Sequence, residues 1–83
     1  NQPLPLECNV IGKRVDEALS IVEKYIDNAI LKGVHEVRIV HGKGSGALRM
    51  AIHDYFKTHQ SVASFRLGQY GEGEWGVTIA ELK

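Results

Sequence analysis

Residues 41–49 of this 83-residue chain read His-Gly-Lys-Gly-Ser-Gly-Ala-Leu-Arg, a run that could bind a phosphate and act on it. Lys43 and Arg49 supply positive charge, and His41 can exchange a proton near neutral pH. Two roles are open for His41. It is either a general acid or base at a phosphodiester, or a structural cap that holds the loop through a hydrogen bond from its ring to the backbone.

The glycines of this run stand at alternate positions, which is more than a tight turn requires. The preceding segment, Val-Arg-Ile-Val at residues 37–40, predicts a strand, and a helical pattern begins at Gly46 or Ala47. A strand that turns into a helix aims backbone N–H groups and the positive end of the helix dipole at one point. We therefore predict a phosphate-binding loop formed by Gly42, Lys43, Gly44, Ser45 and Gly46.

Surface charge and phosphate contact are the two alternatives for Lys43 and for three other cations. Lys13 and Arg14 lie at the start of the first predicted helix. Arg49 lies in the first turns of the second helix, where a cation opposes the helix dipole at a cost of a few tenths of a kcal/mol. A basic residue in that unfavourable place indicates an anionic partner.

Composition indicates one soluble domain whose overall charge would not attract nucleic acid. The chain has 10 Lys and Arg against 10 Asp and Glu, so affinity for phosphate must come from local arrangement. The single Cys8 excludes an internal disulfide and fits a reducing cytoplasm. No apolar run approaches the roughly 20 residues of a membrane span. Because the chain starts at Asn1 without a Met, we read it as a domain of a longer protein, with residues 1–5 as a lead-in and residues 6–83 as the domain. We expect the isolated domain to be a monomer.

Periodicity predicts the element order β-α-β-α-β-β, an α/β two-layer sandwich with a mixed four-stranded sheet and two helices. Leu6, Cys8 and Val10 are expected on the buried face of the first strand, and Met50 in the core. For Tyr70 and Trp75, packing is favoured over stacking on a base. The predicted strands are residues 6–11, 36–40, 61–67 and 76–82, and the predicted helices are residues 15–30, followed by Gly33 as C′ residue, and 46–58.

Ligands of open α/β sheets gather at the carboxyl ends of the strands, so the loops at residues 12–14 and 41–46 should share one crevice. Other phosphate and metal sites fit poorly. No Gly-Lys-Ser/Thr closes a Walker loop, and the third glycine is one residue too early for a dinucleotide fingerprint. His35, His53 and His59 show no ligand spacing with His41, so no metal site is predicted within the domain.

Three segments of the chain resemble the Smr (small MutS-related) domain, in the form found at the C-terminus of the second bacterial MutS paralogue. Residues 41–49 match the His-Gly-x-Gly-x-Gly signature with its trailing Leu-Arg. Residues 73–82 are similar to the closing glycine-rich turn and Val-Thr-Val strand. Residues 7–12 stand where the family has Leu-Asp-Leu-Arg/His-Gly, and Arg-Val-Asp-Glu-Ala-Leu follows at residues 14–19.

This resemblance implies a nucleic-acid-directed domain, often a nicking endonuclease, with a fold similar to the C-terminal domain of translation initiation factor three. It implies DNA, including branched DNA, or ribosomal RNA and the ribosome as partners, and a divalent metal for nicking. Parent proteins of this type carry an ATPase core that binds ATP, form homodimers, and have been linked to suppression of recombination and rescue of collided ribosomes.

The sequence departs from the family at the first motif. The acidic position of the family falls on Asn9 and its basic position on Ile11. An amide neither takes a proton near neutral pH nor supplies a carboxylate to a cation. Glu7 is the only nearby carboxylate that could substitute for the missing acid, but it lies roughly 6–7 Å further back along the strand, out of reach. The resemblance would make His41, Asn9 and Arg49 the catalytic positions, with Asn9 weakening cleavage.

Three hypotheses follow from these observations. The first is a nucleic-acid-binding domain that nicks, in which His41 moves protons and Lys43 and Arg49 neutralise the phosphate. The second is a binding module for RNA or the ribosome without catalysis, with Asn9 as the mark of lost chemistry. The third is a protein-interaction domain whose glycine loop contacts acidic groups of a partner.

Overall fold

The computed structural model describes residues 4–71 and 74–83 and confirms the predicted element order. Residues 1–3 of the predicted lead-in, and residues 72 and 73 of the glycine-rich turn, lie outside the described residues. Among the described residues, no helix is long and apolar enough to span a membrane. The elements are β1 (Cys8–Asn9), α1 (Val15–Leu31), β2 (Glu36–Val40), α2 (Ala47–Lys57), β3 (Val62–Leu67), a 3-10 turn (Glu74–Gly76) and β4 (Val77–Leu82).

The four strands form one mixed sheet in the order β1-β2-β4-β3. β1 is parallel to β2, and β4 is antiparallel to both β2 and β3. The crossovers from β1 to β2 and from β2 to β3 therefore advance in the same direction across the sheet. Right-handed crossovers in one direction place both helices on one face, which is the two-layer sandwich that the sequence predicts.

The core lies between the two helices and the helix-facing side of the sheet. In β2 and β4, Val37 pairs with Ala80 and Ile39 with Thr78, so these four side chains share that side. Cys8 is buried there as predicted, and burial raises the pKa of its thiol to about 11. The buried apolar cluster comprises Cys8, Val10, Ala18, Val22, Tyr25, Ile26, Ala29, Val37, Ile39, Ile52, Phe56, Val62, Ala80 and Leu82.

The first strand is shorter than predicted, and the expectation for Leu6 was wrong. β1 has two residues, and the Leu6 side chain is 96% exposed. The segment before β1 is held by α1 and not by the sheet, since the Tyr25 hydroxyl donates a hydrogen bond to the Pro5 carbonyl. Leu4 packs against the core where alternation predicted Leu6.

The expectations for Met50, Tyr70 and Trp75 were also wrong. In α2 the buried residues are Ile52 and Phe56. Met50 precedes Ile52 by two positions, which is about 200° around the helix, so it points outward and is 63% exposed. Tyr70 and Trp75 do not pack onto the sheet edge, because both are largely exposed in the turn before β4.

Gly33 ends α1 as predicted. It has a positive φ of 72°, and its N–H donates to the Ile30 carbonyl while the Val34 N–H donates to the Ala29 carbonyl. These two bonds form a Schellman motif, which satisfies carbonyls at the helix end. Val34 then packs against the core, so the turn also directs the chain into β2.

We predict that Gly33→Ala lowers the free energy of unfolding by about 1 kcal/mol, because a side chain at positive φ is strained. A Cβ at Gly33 would meet nothing within 4 Å, so the loss reflects the backbone alone. Gly44→Ala is the matched control, since Gly44 also has open space around it but no positive φ. Urea denaturation measures both, and equal midpoints for the two variants would contradict the prediction.

Candidate nucleic-acid interface

The loops that follow β1 and β2 meet in one cleft. Its volume is about 450 Å³, and it is lined by residues 11–15 and 41–49. Parallel pairing of Cys8 with Ile39 and of Asn9 with Val40 brings the carboxyl ends of both strands to the same edge of the sheet. The structure thus confirms the shared crevice that the sequence predicts.

The cleft concentrates positive charge in a chain whose net charge is zero. Lys13 and Arg14 lie on one wall, and Lys43 and Arg49 on the other. No aspartate or glutamate lies within the two segments, residues 11–15 and 41–49, that line it. The cleft is therefore a local anion-attracting surface, produced by arrangement and not by composition.

Two of these cations make weak ion pairs at the rim of the cleft. The Nε atom of Arg14 is 3.9 Å from Oδ1 of Asp16, and the Nζ atom of Lys43 is 4.0 Å from Oε2 of Glu74. All four side chains are more than half exposed. Exposed pairs of this kind contribute little to stability, so a phosphate can replace either carboxylate as the partner of the cation.

The N-terminus of α2 presents backbone donors to the cleft. Its first amide, that of Ala47, donates to Oγ of Ser45 at 3.3 Å, and the Gly46 carbonyl accepts from the Met50 N–H at 2.9 Å. The amides of Leu48 and Arg49 have no acceptor within residues 4–71 and 74–83. First-turn amides of a helix are a natural site for an anion.

The backbone conformation of Gly46 and the position of the Arg49 side chain are linked. Gly46 has a φ of 87°, and a Cβ placed on it would lie 3.0 Å from a terminal nitrogen of Arg49. The guanidinium group therefore folds back over Gly46, which keeps the charge at the helix N-terminus instead of in open solvent. The predicted binding role of Gly46 gains a specific reason, because a side chain there would both strain the backbone and displace Arg49.

Gly42 begins the loop between β2 and α2, and it lies between Ile11, which follows β1, and Gly76, which precedes β4. Its φ is 82°, and a Cβ on it would lie 3.4 Å from Cγ1 of Ile11. The N–H groups of His41 and Gly42 both donate to the Gly76 carbonyl, at 3.0 and 2.9 Å. The loop is therefore anchored on both sides before it reaches the cations.

His41 is only 4% exposed, and both of its ring nitrogens have partners. Because a carbonyl can only accept, Nδ1 donates to the Gly42 carbonyl at 3.0 Å, and Nε2 lies 2.7 Å from the Thr78 hydroxyl. Burial lowers the pKa of His41, the Gly42 carbonyl opposes this, and the charge of Arg49 lowers it further. The ring-to-backbone bond is the contact expected for a structural cap, and the catalytic role of His41 stays a prediction.

His53 and Thr78 belong to this site although the sequence reasoning missed them. The Nε2 atom of His53 is 2.7 Å from Oγ1 of Thr78, which it shares with His41. A search for metal-ligand spacing could not find this pair, because their contact passes through a threonine. Thr78 gave no sequence signal either, because its burial in line with Ala80 and Leu82 is visible only in the structure.

Asn9, the third predicted catalytic residue, lies outside the cleft lining. It pairs with Val40, one residue before His41, so alternation places its side chain on the sheet face opposite the His41 ring. Its Oδ1 accepts the Ile11 N–H at 3.0 Å, which forms the turn that ends β1. The structure gives Asn9 a role in shaping the chain, and its catalytic role stays a prediction.

Residues 4–71 and 74–83 contain no cluster of three or more histidine, cysteine or acidic side chains that could hold a metal ion. The four cations and the first-turn amides of α2 can hold an anion directly. The arrangement can therefore bind a phosphodiester and neutralise charge on its oxygens.

We predict that buried His41 and half-buried His53 both have a pKa below about 6.5, the usual value of a free histidine. For His53, burial lowers the pKa most, followed by the charges of His41, Arg49 and Lys57, while Asp54 opposes them. The folded state then binds fewer protons than the unfolded state near pH 6, so stability is full above about 6.5 and falls as the pH decreases.

Side-chain NMR titration of the folded domain, with the chain in urea as its matched reference, measures this effect. The urea midpoint should decrease between about pH 7.5 and 5.5. Folded pKa values equal to those in urea, or a midpoint that increases on acidification, would contradict the prediction.

Comparison with known proteins agrees with the fold. The family described as the Smr domain matches residues 8–83. Over 77 residues the chain is 52% identical to the endonuclease MutS2 of Agathobacter rectalis, covering 93% of this chain and 10% of that protein. Over 78 residues it is 54% identical to the putative endonuclease MutS2 of Bacillus subtilis, covering 94% and 10%. The chain thus spans about one tenth of the length of these relatives.

Solved structures give the same result. The Smr domain of Thermus thermophilus MutS2 is 38% identical, with a TM-score of 0.92 and coverage of 95% of this chain and 99% of that one. YdaL, a stand-alone small MutS-related protein from Escherichia coli, has a TM-score of 0.89 at 22% identity, with coverage of 98% and 66%, and shows the fold alone. With the family matched over nearly its whole length, this chain belongs to the Smr domain family.

Proposed function

We propose that this domain binds nucleic acid through the phosphate backbone and nicks it in the cleft between the two loops. The observation that carries the proposal is the convergence of four cations and the N-terminus of α2 in a cleft without a carboxylate in its lining. The similarity to the endonuclease MutS2 of Agathobacter rectalis supports the same function.

Binding divides between the two walls of the cleft. A phosphate at the N-terminus of α2 would accept hydrogen bonds from the Leu48 and Arg49 amides, with Lys43 and the Arg49 guanidinium within reach. Lys13 and Arg14 face it from the other wall and can take the neighbouring phosphate of the same strand. Contacts of this kind position a backbone and carry no base sequence.

We predict that Lys43→Ala and Lys13→Ala each weaken oligonucleotide binding for all sequences, and each flatten the salt dependence by about one unit, because one phosphate contact is lost. Lys24→Ala is the matched control, since Lys24 is an exposed lysine of α1 outside the cleft. Fluorescence anisotropy at several salt concentrations measures all three. Equal salt slopes for cleft and control variants would contradict the proposed interface.

Cleavage needs more than this binding surface. The amides of α2, Lys43 and Arg49 can stabilise the charge that develops on the phosphoryl oxygens. Proton transfer by His41 requires the ring to leave one of its two partners, Gly42 or Thr78, because both nitrogens are engaged. The chemical step would therefore follow a movement of the loop that exposes the ring.

A binding module without catalysis is the second candidate function. Two observations favour it: the His41 ring is buried with both nitrogens bonded, and Asn9 stands where the family has an acid. In this reading the same cleft docks on structured RNA or the ribosome and leaves the backbone intact. A nicking assay separates the two candidates.

We predict weak nicking of supercoiled plasmid by the purified domain, lost in His41→Gln and increased in Asn9→Asp. An aspartate at position 9 can accept the Ile11 N–H as Asn9 does, so the turn is kept while a carboxylate is added. The increase is expected from the family resemblance, because the family has an acid at this position, and not from contact with the His41 ring, which lies on the opposite face of the sheet. The assay is run with and without a divalent ion, with Lys24→Ala as the control for surface substitutions.

The outcomes decide between the candidates. A flat rate in Asn9→Asp together with loss in His41→Gln would make position 9 structural. Binding with no nicking in any variant would favour the binding module. Absence of salt-dependent binding to both DNA and RNA would overturn both candidates and leave the protein-interaction hypothesis.

The setting of this activity is a proposal too. By resemblance, the domain would act within a cytoplasmic, ATP-binding homodimeric parent, on branched DNA in recombination control or on the ribosome in rescue. Within the domain we propose no resident cofactor, and a divalent ion would take part only in nicking.

A further inference from the structure

A buried hydrogen-bond chain lies beneath the glycine loop and joins three elements of the fold. His41 follows β2, Thr78 lies in β4, and His53 lies in α2. Oγ1 of Thr78 is 2.7 Å from Nε2 of each histidine. The Thr78 side chain is fully buried and that of His41 nearly so. Polar groups buried this deeply are costly unless they are paired, which constrains where each proton lies.

The order of the protons follows from the carbonyl at one end. The Gly42 carbonyl can only accept, so Nδ1 of His41 carries a proton, and Nε2 of the neutral ring is an acceptor. The Thr78 hydroxyl has one proton and gives it to that nitrogen. Nε2 of His53 must then be the donor to Oγ1. The chain runs in one direction, from His53 through Thr78 and His41 to Gly42.

This direction sets the orientation of the peptide between Gly42 and Lys43. The chain contains no cis peptide bond among the described residues, so the Gly42 carbonyl and the Lys43 N–H point to opposite sides of that peptide. The carbonyl is held against the buried His41 ring. The Lys43 N–H, which has no acceptor within residues 4–71 and 74–83, is directed away from the ring.

We propose that Thr78 and His53 are positioning residues for the phosphate site: through His41 they hold the Gly42–Lys43 peptide with its N–H, and not its carbonyl, toward the cleft. The inference rests on the proposed binding of phosphate in that cleft. The opposite orientation would present a carbonyl oxygen to the anion and repel it. The hydrogen-bond chain thus determines that the loop presents the N–H end of a peptide dipole to the cleft. The shape of the cavity alone does not determine this.

If Thr78 and His53 had a purely structural role, a different experimental result would be expected. Packing between α2 and the sheet needs only side-chain volume. The rings of His53 and Phe65, whose centroids are 5.0 Å apart, already provide such a contact. If volume were the whole role, replacing the hydroxyl of Thr78 with a methyl group would leave the Lys43 amide and its response to phosphate unchanged.

The first measurement needs no variant. Two-bond proton–nitrogen NMR spectra of the wild-type domain at about pH 7.5, where a free histidine is neutral, report the tautomer of each histidine. We expect the Nδ1–H form for His41 and the Nε2–H form for His53. An Nε2–H form for His41 would overturn the proposal whatever the variants do.

The second measurement titrates inorganic phosphate while following the Lys43 amide. In Thr78→Val, which keeps the shape and removes the hydroxyl, we expect affinity to fall about tenfold, the value of one lost hydrogen bond, and the Lys43 shift to diminish. His53→Phe keeps a ring beside Phe65 and removes the donor, for which we expect a loss of about threefold. Thr78→Ser restores the hydroxyl and should bind within about twofold of wild type.

Ser64→Ala is the matched control, since it removes a hydroxyl from the same sheet at an exposed position. Unchanged phosphate affinity and an unchanged Lys43 shift in folded Thr78→Val would overturn the proposal. Should that variant fail to fold, the tautomers and the titration of His53→Phe decide in its place. Failure of the wild-type domain to bind phosphate or oligonucleotide would instead overturn the proposed function on which the inference rests.

Discussion

The parallel pairing of β1 with the end of β2 is the constraint on which the cleft depends. It involves two residue pairs, Cys8 with Ile39 and Asn9 with Val40, and a further bond from the Val10 N–H to the Val40 carbonyl at 2.8 Å. Because the strands are parallel, both continue into loops at one edge of the sheet. The side chain of Ile11 then lies beside Gly42, where a Cβ would be 3.4 Å from its Cγ1, so the two loops close on each other. A strand this short suffices because Cys8 and Val10 are buried in the core, which fixes its register.

Electrostatics and backbone geometry work together at this edge. Arg49 stands at the N-terminus of α2, where its charge opposes the helix dipole and costs stability. The same charge, folded over Gly46, adds to the dipole once an anion is bound, so an unfavourable element of the free domain becomes favourable in the complex. The glycine loop therefore has two requirements, positive φ at Gly42 and Gly46 and space for the guanidinium, and glycine is the residue that satisfies both.

The sequence was sufficient to predict what depends on local pattern. The bounds of β2 and the C-terminal turn at Gly33 follow from strand alternation and from glycine at positive φ, and the shared crevice follows from the handedness of crossovers. The exposure of Leu6 could not be predicted from local pattern, because the segment before β1 is held by a hydrogen bond from the Tyr25 hydroxyl to the Pro5 carbonyl, 20 residues apart in the sequence. In β4 the strand alternation alone does not show which face meets the helices: Val77 and Ile79 are buried on the face away from the helices, while Thr78 faces the helices.

The residues that sequence reasoning missed share a physical cause. Each of the three side chains in the hydrogen-bond chain is ordinary by itself: a helix histidine, a strand threonine and a histidine before glycine. Their relation appears only when β4 inserts between β2 and β3 and places Thr78 between two rings. The antiparallel insertion of β4 also brings the Gly76 carbonyl to the amides of His41 and Gly42. The last strand and the turn before it thus fix the loop twice, once through the Gly76 carbonyl and once through Thr78. The glycine run can therefore be free of side chains without losing a defined shape. A loop held from beneath in this way keeps its outward face, with Lys43 and the first amides of α2, available for an anion.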